Sequence, residues 1–403
     1  MRHTTRLSAC AAAAAALLVS TGPTTAAATD PAEPAPSRGA LAPLYRSSAP
    51  VAGQYIVSLA DSADAEATTE QLGVTSLFTY SSVLSGFAAR LTPEQLNSVR
   101  QHPGVAAVEQ DAEVTSDGTG TGPAAPRALA PAASWGLDRI DQEDLPLDQE
   151  FTVAGTGAGT TGYILDTGID YAHSEFGGRA RLGFDAVGDG RVGADCNGHG
   201  THVAGTVGGA SYGVARQADL VSVRVLDCEG RGTWSGIMAG LDWIAQNARQ
   251  PAVMNASLGG PASPTVNAAL DRVAAGGVVP VVAAGNDDID ACGVSPASAA
   301  RAFTVGASDA EDRETSFSNH GECLALYAPG ADIVSARLGG GSTALNGTSM
   351  AAPHVAGAAL LARAASPAAT AEAIEAQLLD TAVPNTLTVD PGSPNRLLHT
   401  GGL

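Results

Sequence analysis

From Trp135 onward, short apolar runs alternate with longer stretches in which apolar residues recur every three or four positions. Gly162–Leu165 (GYIL), Leu220–Leu226 (LVSVRVL), Ala252–Ser257 (AVMNAS) and Gly277–Ala284 (GVVPVVAA) contain few polar positions. That is the pattern of parallel strands covered on both faces. SGIMAGLDWIAQNA and TVNAALDRVAAG carry the helical period and fall between such runs. The expectation for 135–403 is an α/β domain with a central, mostly parallel sheet, whose reactive groups gather at the carboxyl ends of its strands.

A different rhythm precedes it. Gln54–Ala60 (QYIVSLA) reads as a strand, DAEATTEQLG as a helix stopped by Gly73, Ser76–Tyr80 (SLFTY) as a strand and Leu84–Leu91 (LSGFAARL) as another. Thr92-Pro93-Glu94-Gln95 has the N-cap, N1 proline and N3 glutamine of a capped helix, after which GVAAVEQD returns as a strand. The order βαββαβ predicts a small α+β ferredoxin-like domain over 51–114. Residues 29–50 are rich in Pro, Ala and Ser and read as a linker. Residues 115–134, rich in Gly, Ala, Pro and Thr with Arg127 in their midst, read as an exposed, cleavable connector.

The N-terminus changes the setting. Arg2 and Arg6 precede an apolar run from Leu7 to Val19, and a polar stretch then ends in Ala26-Ala27-Ala28. This reads as a secretory signal peptide over 1–28, cleaved after Ala28, with Cys10 as filler. The run is too short and alanine-rich to span a membrane and no later segment is long enough to do so, so no membrane partner is expected. Of the five cysteines, Cys196, Cys228, Cys292 and Cys323 remain after export. An even number in a secreted chain favours disulfides, with three pairings open. Neighbour pairing closes two similar loops, each adding about 3–4 kcal/mol on the chain-entropy model. No CxxC pair supports a zinc site.

Charge narrows the partners. The 21 basic residues are all arginine and face 41 acidic ones, for a net charge of -20. Such a chain is not expected to hold nucleic acid by its phosphates.

Three short segments carry candidate chemistry. YILDTGID places Asp166 at the carboxyl end of the first buried run, where an unpartnered charge is costly. DCNGHGTHVAG sets His199 between glycines at the start of a helical run, and GTSMAAPHVAG puts Ser349 at the start of another. A serine there is an ordinary helix cap. Together with an imidazole and a buried carboxylate it also has the parts of an activated nucleophile. AAGN adds Asn286 as a donor for an oxyanion, beside the backbone N–H and dipole of the helix that Ser349 opens.

Alternatives fall on count and order. Asp-Thr-Gly is also the aspartic-protease signature, but that mechanism needs two carboxylates sharing a proton and no second such motif occurs. His199 and His202 in HGTH lack the further ligands of a zinc site. An α/β-hydrolase places its nucleophile in GxSxG before the acid and the histidine, whereas Ser349 comes last. The glycines at 155–159 precede their strand, against a dinucleotide-binding turn.

LDTGID, NGHGTHVAG, SLGG, AAGN and NGTSMAAPHVAG together resemble the subtilisin-like serine proteases, in the proteinase K branch and closest to the aqualysin-type secreted enzymes. The resemblance covers essentially all of 135–399, including WGLDRIDQEDLPLD and GSPNRLL, and residues 53–114 resemble the family's inhibitory propeptide. It implies a subtilisin-like three-layer fold with Asp166, His199 and Ser349 as triad, Asn286 as oxyanion donor, and His202 as structural. It also implies the pairs Cys196–Cys228 and Cys292–Cys323. The implied product is a monomeric secreted endopeptidase, made as a zymogen inhibited by its own propeptide, acting on proteins or peptides. Self-cleavage is expected to start the mature chain near Ala128.

Small residues in Ser257-Leu258-Gly259 and Ala283-Ala284-Gly285 would leave room for the side chain before the cleaved bond. Gly230, Gly232 and Trp234 in GRGTW resemble the edge strand that pairs with an extended substrate, Trp234 walling an apolar subsite. The family also implies a structural Ca2+ ion. Asp138, Asp141, Gln142 and Asp148 stand where aqualysin-like proteins hold one, a solvated acidic turn being the other reading. A second family calcium site has an aspartate where this chain has Ala325. Ala352 stands where relatives usually have Thr.

Overall fold

A computed structural model of the chain describes residues 41–61, 63–116 and 133–403. The expected signal peptide, most of the linker and the middle of the connector, with Arg127 and Ala128, lie outside the described residues.

The larger part is built on a nine-stranded sheet. From the central strand Thr161–Asp166 it runs through Asp219–Arg224 to Ala180–Asp185 on one side. On the other it runs through Ala252–Ala256, Val279–Ala283, Phe303–Ser308 and Leu326–Pro329 to Arg396–Leu397. All these neighbours pair in parallel; only Val383–Pro384, at the far edge, is antiparallel. Successive side chains of the central strand enter opposite cores, because side chains alternate across a strand. Ile164 packs with the helices His199–Gly208 and Thr348–Ala365, while Tyr163 and Leu165 pack with Trp234–Asn247 and Pro264–Ala275. Helices on both faces of a mostly parallel sheet make the three layers the sequence predicts.

The helix Thr348–Ala365 is alanine-rich because it runs through the interior, packed on His199–Gly208. A Cβ on Gly357 would lie 2.5 Å from the Cβ of Val214 and 3.0 Å from the Val207 carbonyl oxygen. Ala352 is fully buried in the same core, and its methyl group leaves no polar atom to satisfy there.

The smaller part follows the predicted order: Pro50–Leu59, helix Ala65–Leu72, Ser76–Tyr80, Gly86–Arg90, helix Pro93–Gln101 and Val105–Ser116. Its sheet places Val105–Ser116 beside Pro50–Leu59, then Gly86–Arg90, then Ser76–Tyr80. Thr92 and Gln95 form the expected capping box. Two boundaries differ from the sequence reading. Residues from Leu41 are not linker: Leu44–Tyr45 pairs in parallel with Val108–Glu109, and Ala42 joins the small core. The last strand does not stop at 114 but includes Thr115 and Ser116, which the composition had assigned to the connector. Their partners explain why. Val105–Ser116 continues antiparallel onto Leu258–Pro261 on one side and Arg231–Thr233 on the other, so the small sheet runs into the larger domain.

Polar contacts at helix ends reinforce this junction. The Glu109 carboxylate accepts from Ser263 Oγ and from the amide and hydroxyl of Thr265, at the start of the helix Pro264–Ala275. Asp111 accepts from the Ser235 amide at 3.0 Å, at the start of Trp234–Asn247. Anions at helix N-termini are favourable because the first amides lack partners and the dipole is positive there. In return Asp242 accepts from the amides of Ser81, Ser82 and Val83.

Candidate active site

Asp166 ends the central strand, His199 opens one interior helix, and Ser349 lies in the first turn of the other. His199 Nδ1 lies 2.8 and 2.9 Å from the two carboxylate oxygens of Asp166, both side chains being almost wholly buried. The contact makes Nδ1 the donor, which leaves Nε2 as the basic nitrogen. Asp166 also accepts from the Thr167 amide at 2.7 Å.

Ser349 is held by an arrangement the motif itself requires. Gly347, at φ 149° and ψ 161°, takes a conformation closed to L side chains, and the helix begins at the next residue. Pro353 has no N–H to give the carbonyl four residues back, which belongs to Ser349. The Ser257 hydroxyl donates there instead, at 3.0 Å, and Ser349 Oγ donates to the Ser257 carbonyl at 3.3 Å. Asn255 steadies Ser257 through its amide, 2.9 Å from the hydroxyl. Ser257 thus holds Ser349 through both side chain and main chain, a contact that SLGG alone did not disclose.

Asn286 follows the strand Val279–Ala283 and the turn Ala284-Gly285. Its side-chain carbonyl accepts from the Thr348 amide at 2.8 Å and the Thr348 hydroxyl at 3.2 Å. With that end committed, donor chemistry rests with the Nδ2 end. Thr348 Oγ1 accepts from Gly285 N–H at 3.1 Å, and Asn319 braces the loop by donating to the Ala284 carbonyl and accepting from the amides of Asp287 and Ile289. Thr348 and Asn319 were not singled out in the sequence, because their contacts are to backbone and to the Asn286 amide.

The groove is already filled by the chain's own strand. Val114 pairs with Gly232, Thr115 with both Arg231 and Gly259, and Ser116 with Leu258, while the Ser116 amide donates to the Gly230 carbonyl at 2.8 Å. Gly230, Gly232 and Gly259 therefore contribute backbone. Val114 is buried in one cluster with Leu258 and Trp234, worth about 1.5–3 kcal/mol for a valine. Trp234 lies behind the edge strand, its indole N–H donating to the Pro261 carbonyl at 3.2 Å. Beside Thr115 a cavity of about 260 Å³ is lined by Gly259, Ala283, Ala284, Gly285 and Asp287, among others.

His202, in contrast, is fully buried; its Nε2–H faces the carbonyls of Ile333 and Thr343 at 2.9 and 3.2 Å, and burial pushes its pKa down to about 3. It stays neutral at any working pH. Both disulfides, Cys196–Cys228 and Cys292–Cys323, are formed. The first ties the loop before His199 to the loop before the Arg231–Thr233 edge.

The four residues considered for calcium gather in one loop. Asp138 Oδ2 accepts from the Gln149 amide and Asp141 Oδ2 from the Thr152 amide, but Oδ1 of each is buried without a hydrogen-bond partner. Burial raises both carboxyls above their ordinary range, and the charge of Asp148 adds to this. Gln142 Oε1 accepts from the Asp148 amide, while its NH2 spans the loop to the Asp144 and Pro146 carbonyls. Two orphaned anionic oxygens are hard donors of the kind a hard cation takes. At the second family site, Ala325 offers no side-chain oxygen.

A parallel α/β sheet that brings carboxylate, imidazole and a serine at a helix start to its strand ends, with a strand already lying in the cleft, defines a serine peptidase bound to an inhibitory segment. Comparison with known proteins gives the family. The subtilase family model matches residues 157–401, and the peptidase inhibitor I9 model matches residues 54–117. The chain belongs to the subtilase family of serine proteases, hydrolases of peptide bonds, and carries an I9 propeptide. It is 45% identical over 325 residues to an extracellular serine proteinase of Thermus sp. (strain Rt41A), covering 80% of this chain and 77% of that one. It is 38% identical over 375 residues to a cuticle-degrading protease of Metarhizium anisopliae, covering 90% and 94%. It is 43% identical over 331 residues to the alkaline serine exoprotease A of Vibrio alginolyticus, spanning 81% of this chain but only 60% of the Vibrio protein's length. A crystal structure of a cold adapted subtilisin-like serine proteinase superposes with a TM-score of 0.65 at 47% identity, over 66% of this chain and 97% of that one.

Proposed function

We propose that the protein is a secreted, monomeric endopeptidase made as a self-processing zymogen, with Asp166, His199 and Ser349 as its triad. The observation that carries this reading is the Asp166–His199 pair at the floor of a groove whose edges hold an extended strand. Ser349 Oγ attacks the substrate carbonyl as His199 Nε2 takes its proton, and Asp166 holds the Nδ1 tautomer and steadies the imidazolium. The oxyanion is met by Asn286 Nδ2 and by a first-turn amide of the Ser349 helix, which has no partner inside the helix. The imidazolium then protonates the leaving amine, and water releases the acyl group by the same route in reverse. Backbone pairing along both edges supplies affinity with modest sequence selectivity. The net charge of -20 argues against nucleic acid as a partner.

The strand register bears on maturation. Ser116 stands opposite Leu258, and the next residue along that edge, Ser257, has its carbonyl against the nucleophile. This register supports a first cut just beyond Ser116, which we propose falls between Asp117 and Gly118. Trimming to a start near Ala128 follows as a second step. In freshly secreted protein, N-terminal sequencing is expected to find Gly118 before Ala128, in a species labelled at Ser349 by a fluorophosphonate probe. Absence of labelling after propeptide release refutes the proposed activity. A first product starting at Ala128 refutes only the order of cuts.

We further propose that Asp138, Asp141, Gln142 and Asp148 hold a structural Ca2+ ion, which neutralises their clustered charge and ties the N-terminal loop to the domain. Saturation at about 100 times Kd adds about 2.7 kcal/mol. In a domain of this size each kcal/mol moves Tm by about 2–4 °C. Removing Ca2+ with chelator is thus expected to lower Tm by about 5 °C or more. In Asp138→Asn the increment should vanish, as differential scanning calorimetry will show.

A further inference from the structure

We infer that Asp195, which has no part in the chemistry proposed above, is the positioning residue that fixes Asp166 and His199 relative to each other. It is buried, and its carboxylate takes five hydrogen bonds. Oδ1 accepts from Thr167 Oγ1 at 2.9 Å, the Asn197 amide at 2.9 Å and the Gly198 amide at 3.0 Å. Oδ2 accepts from the Thr201 amide at 3.0 Å and the Thr201 hydroxyl at 2.5 Å. These donors exhaust its acceptor sites, which leaves no oxygen for a cation.

The donors come from two separate segments. Thr167 directly follows Asp166 and gives it its amide proton, while Asn197, Gly198 and Thr201 bracket His199. The Thr167 hydroxyl also accepts from the Gly200 amide at 2.9 Å, and Thr201 Oγ1 accepts from the Asp170 amide at 3.0 Å. The His199 helix begins at Gly198, which has no side chain with which to cap it. Asp195 therefore caps that helix from three residues away, and with the same carboxylate holds the end of the Asp166 strand. The Arg224 guanidinium holds Thr167 from the other side, donating to its carbonyl at 3.1 Å.

The carboxylate also sets the field at the imidazole, together with Asp166, Arg224 behind Thr167, and His202 on the same helix, which burial keeps neutral. Removing this negative charge makes the imidazolium easier to deprotonate. The inference rests on the Asp166–His199–Ser349 reading, so each variant is compared with wild-type protein that labels with a fluorophosphonate. If wild type itself does not label, it is that reading that has failed.

Two variants of the full-length chain separate geometry from charge. Asp195→Asn turns an NH2 group toward backbone donors and removes the charge. Its kcat on a short peptide, per titrated active site, is expected to fall about 100-fold, the scale of a misplacement near 1 Å. KM should hold nearly constant, and the acidic limb of kcat/KM should move to lower pH. Thr167→Val cuts the hydroxyl's bond to Asp195, along with the one it accepts from the Gly200 amide, and keeps the charge, so kcat should fall with the acidic limb unmoved. Wild-type kcat and an unmoved limb in Asp195→Asn overturn the inference, even if that variant melts at lower temperature. If Asp195→Asn does not fold, Thr167→Val decides alone: undiminished kcat refutes the inference and a lowered kcat supports it.

Discussion

Replacing Ser349 with alanine is expected to leave the chain in one piece, still joined to its propeptide, with no cut between the two in its intact mass. The change removes the attacking oxygen and little else. Ser349 Oγ makes one hydrogen bond, to the Ser257 carbonyl, and the reciprocal bond from Ser257 to the Ser349 carbonyl survives in alanine. The fold and the filled groove should therefore persist, which makes the variant a clean test. Loss of the nucleophile from such a triad costs about 10⁶-fold in kcat. The readout is intact mass after expression without helper proteases. Normal self-maturation of Ser349→Ala would refute the triad.

The next largest effect is expected at Asn286. Asn286→Ala should lower kcat by about 10²–10³-fold with KM little changed, because an oxyanion donor acts on charge that exists only in the transition state. The side chain also accepts from Thr348, so alanine disturbs the start of the Ser349 helix as well. Thr348→Val separates the two effects: it removes the hydroxyl contacts to Asn286 and to the Gly285 amide and leaves the Nδ2 donor in place. Steady-state kinetics on one peptide should show a far smaller loss of kcat in Thr348→Val. Equal losses in the two variants would assign the Asn286 effect to the helix start, not to the oxyanion.

The buried strands were legible in the sequence because both faces of the sheet are apolar, so the residues of each run had to be apolar whichever way they pointed. The ends of those strands could be read as chemistry because charge and glycine appear there abruptly, as at Asp166 and Asn286. Features carried by backbone could not be read. Leu44–Tyr45 lies in a Pro- and Ser-rich stretch and pairs through its main chain with Val108–Glu109. Thr115 and Ser116 carry no apolar signal because both edges bind them through N–H and C=O groups. Asp195 looked like one polar residue in a loop, since three of its five donors are backbone amides. The Glu109 and Asp111 contacts join residues more than a hundred positions apart, and no periodicity announces them. The disulfide pairing was open on spacing alone; the family resemblance selected the pair of loops that the fold closes.

Arg231–Thr233 and the Leu258-Gly259 end of Leu258–Pro261 pair with the chain's own strand between them, while Gly260 and Pro261 pair with Val294–Ser295 on the far side. When Glu113–Ser116 departs, two rows of backbone donors and acceptors face water, and an extended chain that slides between them can take up the same pairing. A loosened loop on a neighbouring copy qualifies as readily as a foreign protein. On the proposed reading, the lifetime of the mature molecule is then expected to be a property of the population. It shortens as copies crowd together and lengthens wherever other protein is plentiful enough to occupy the slot.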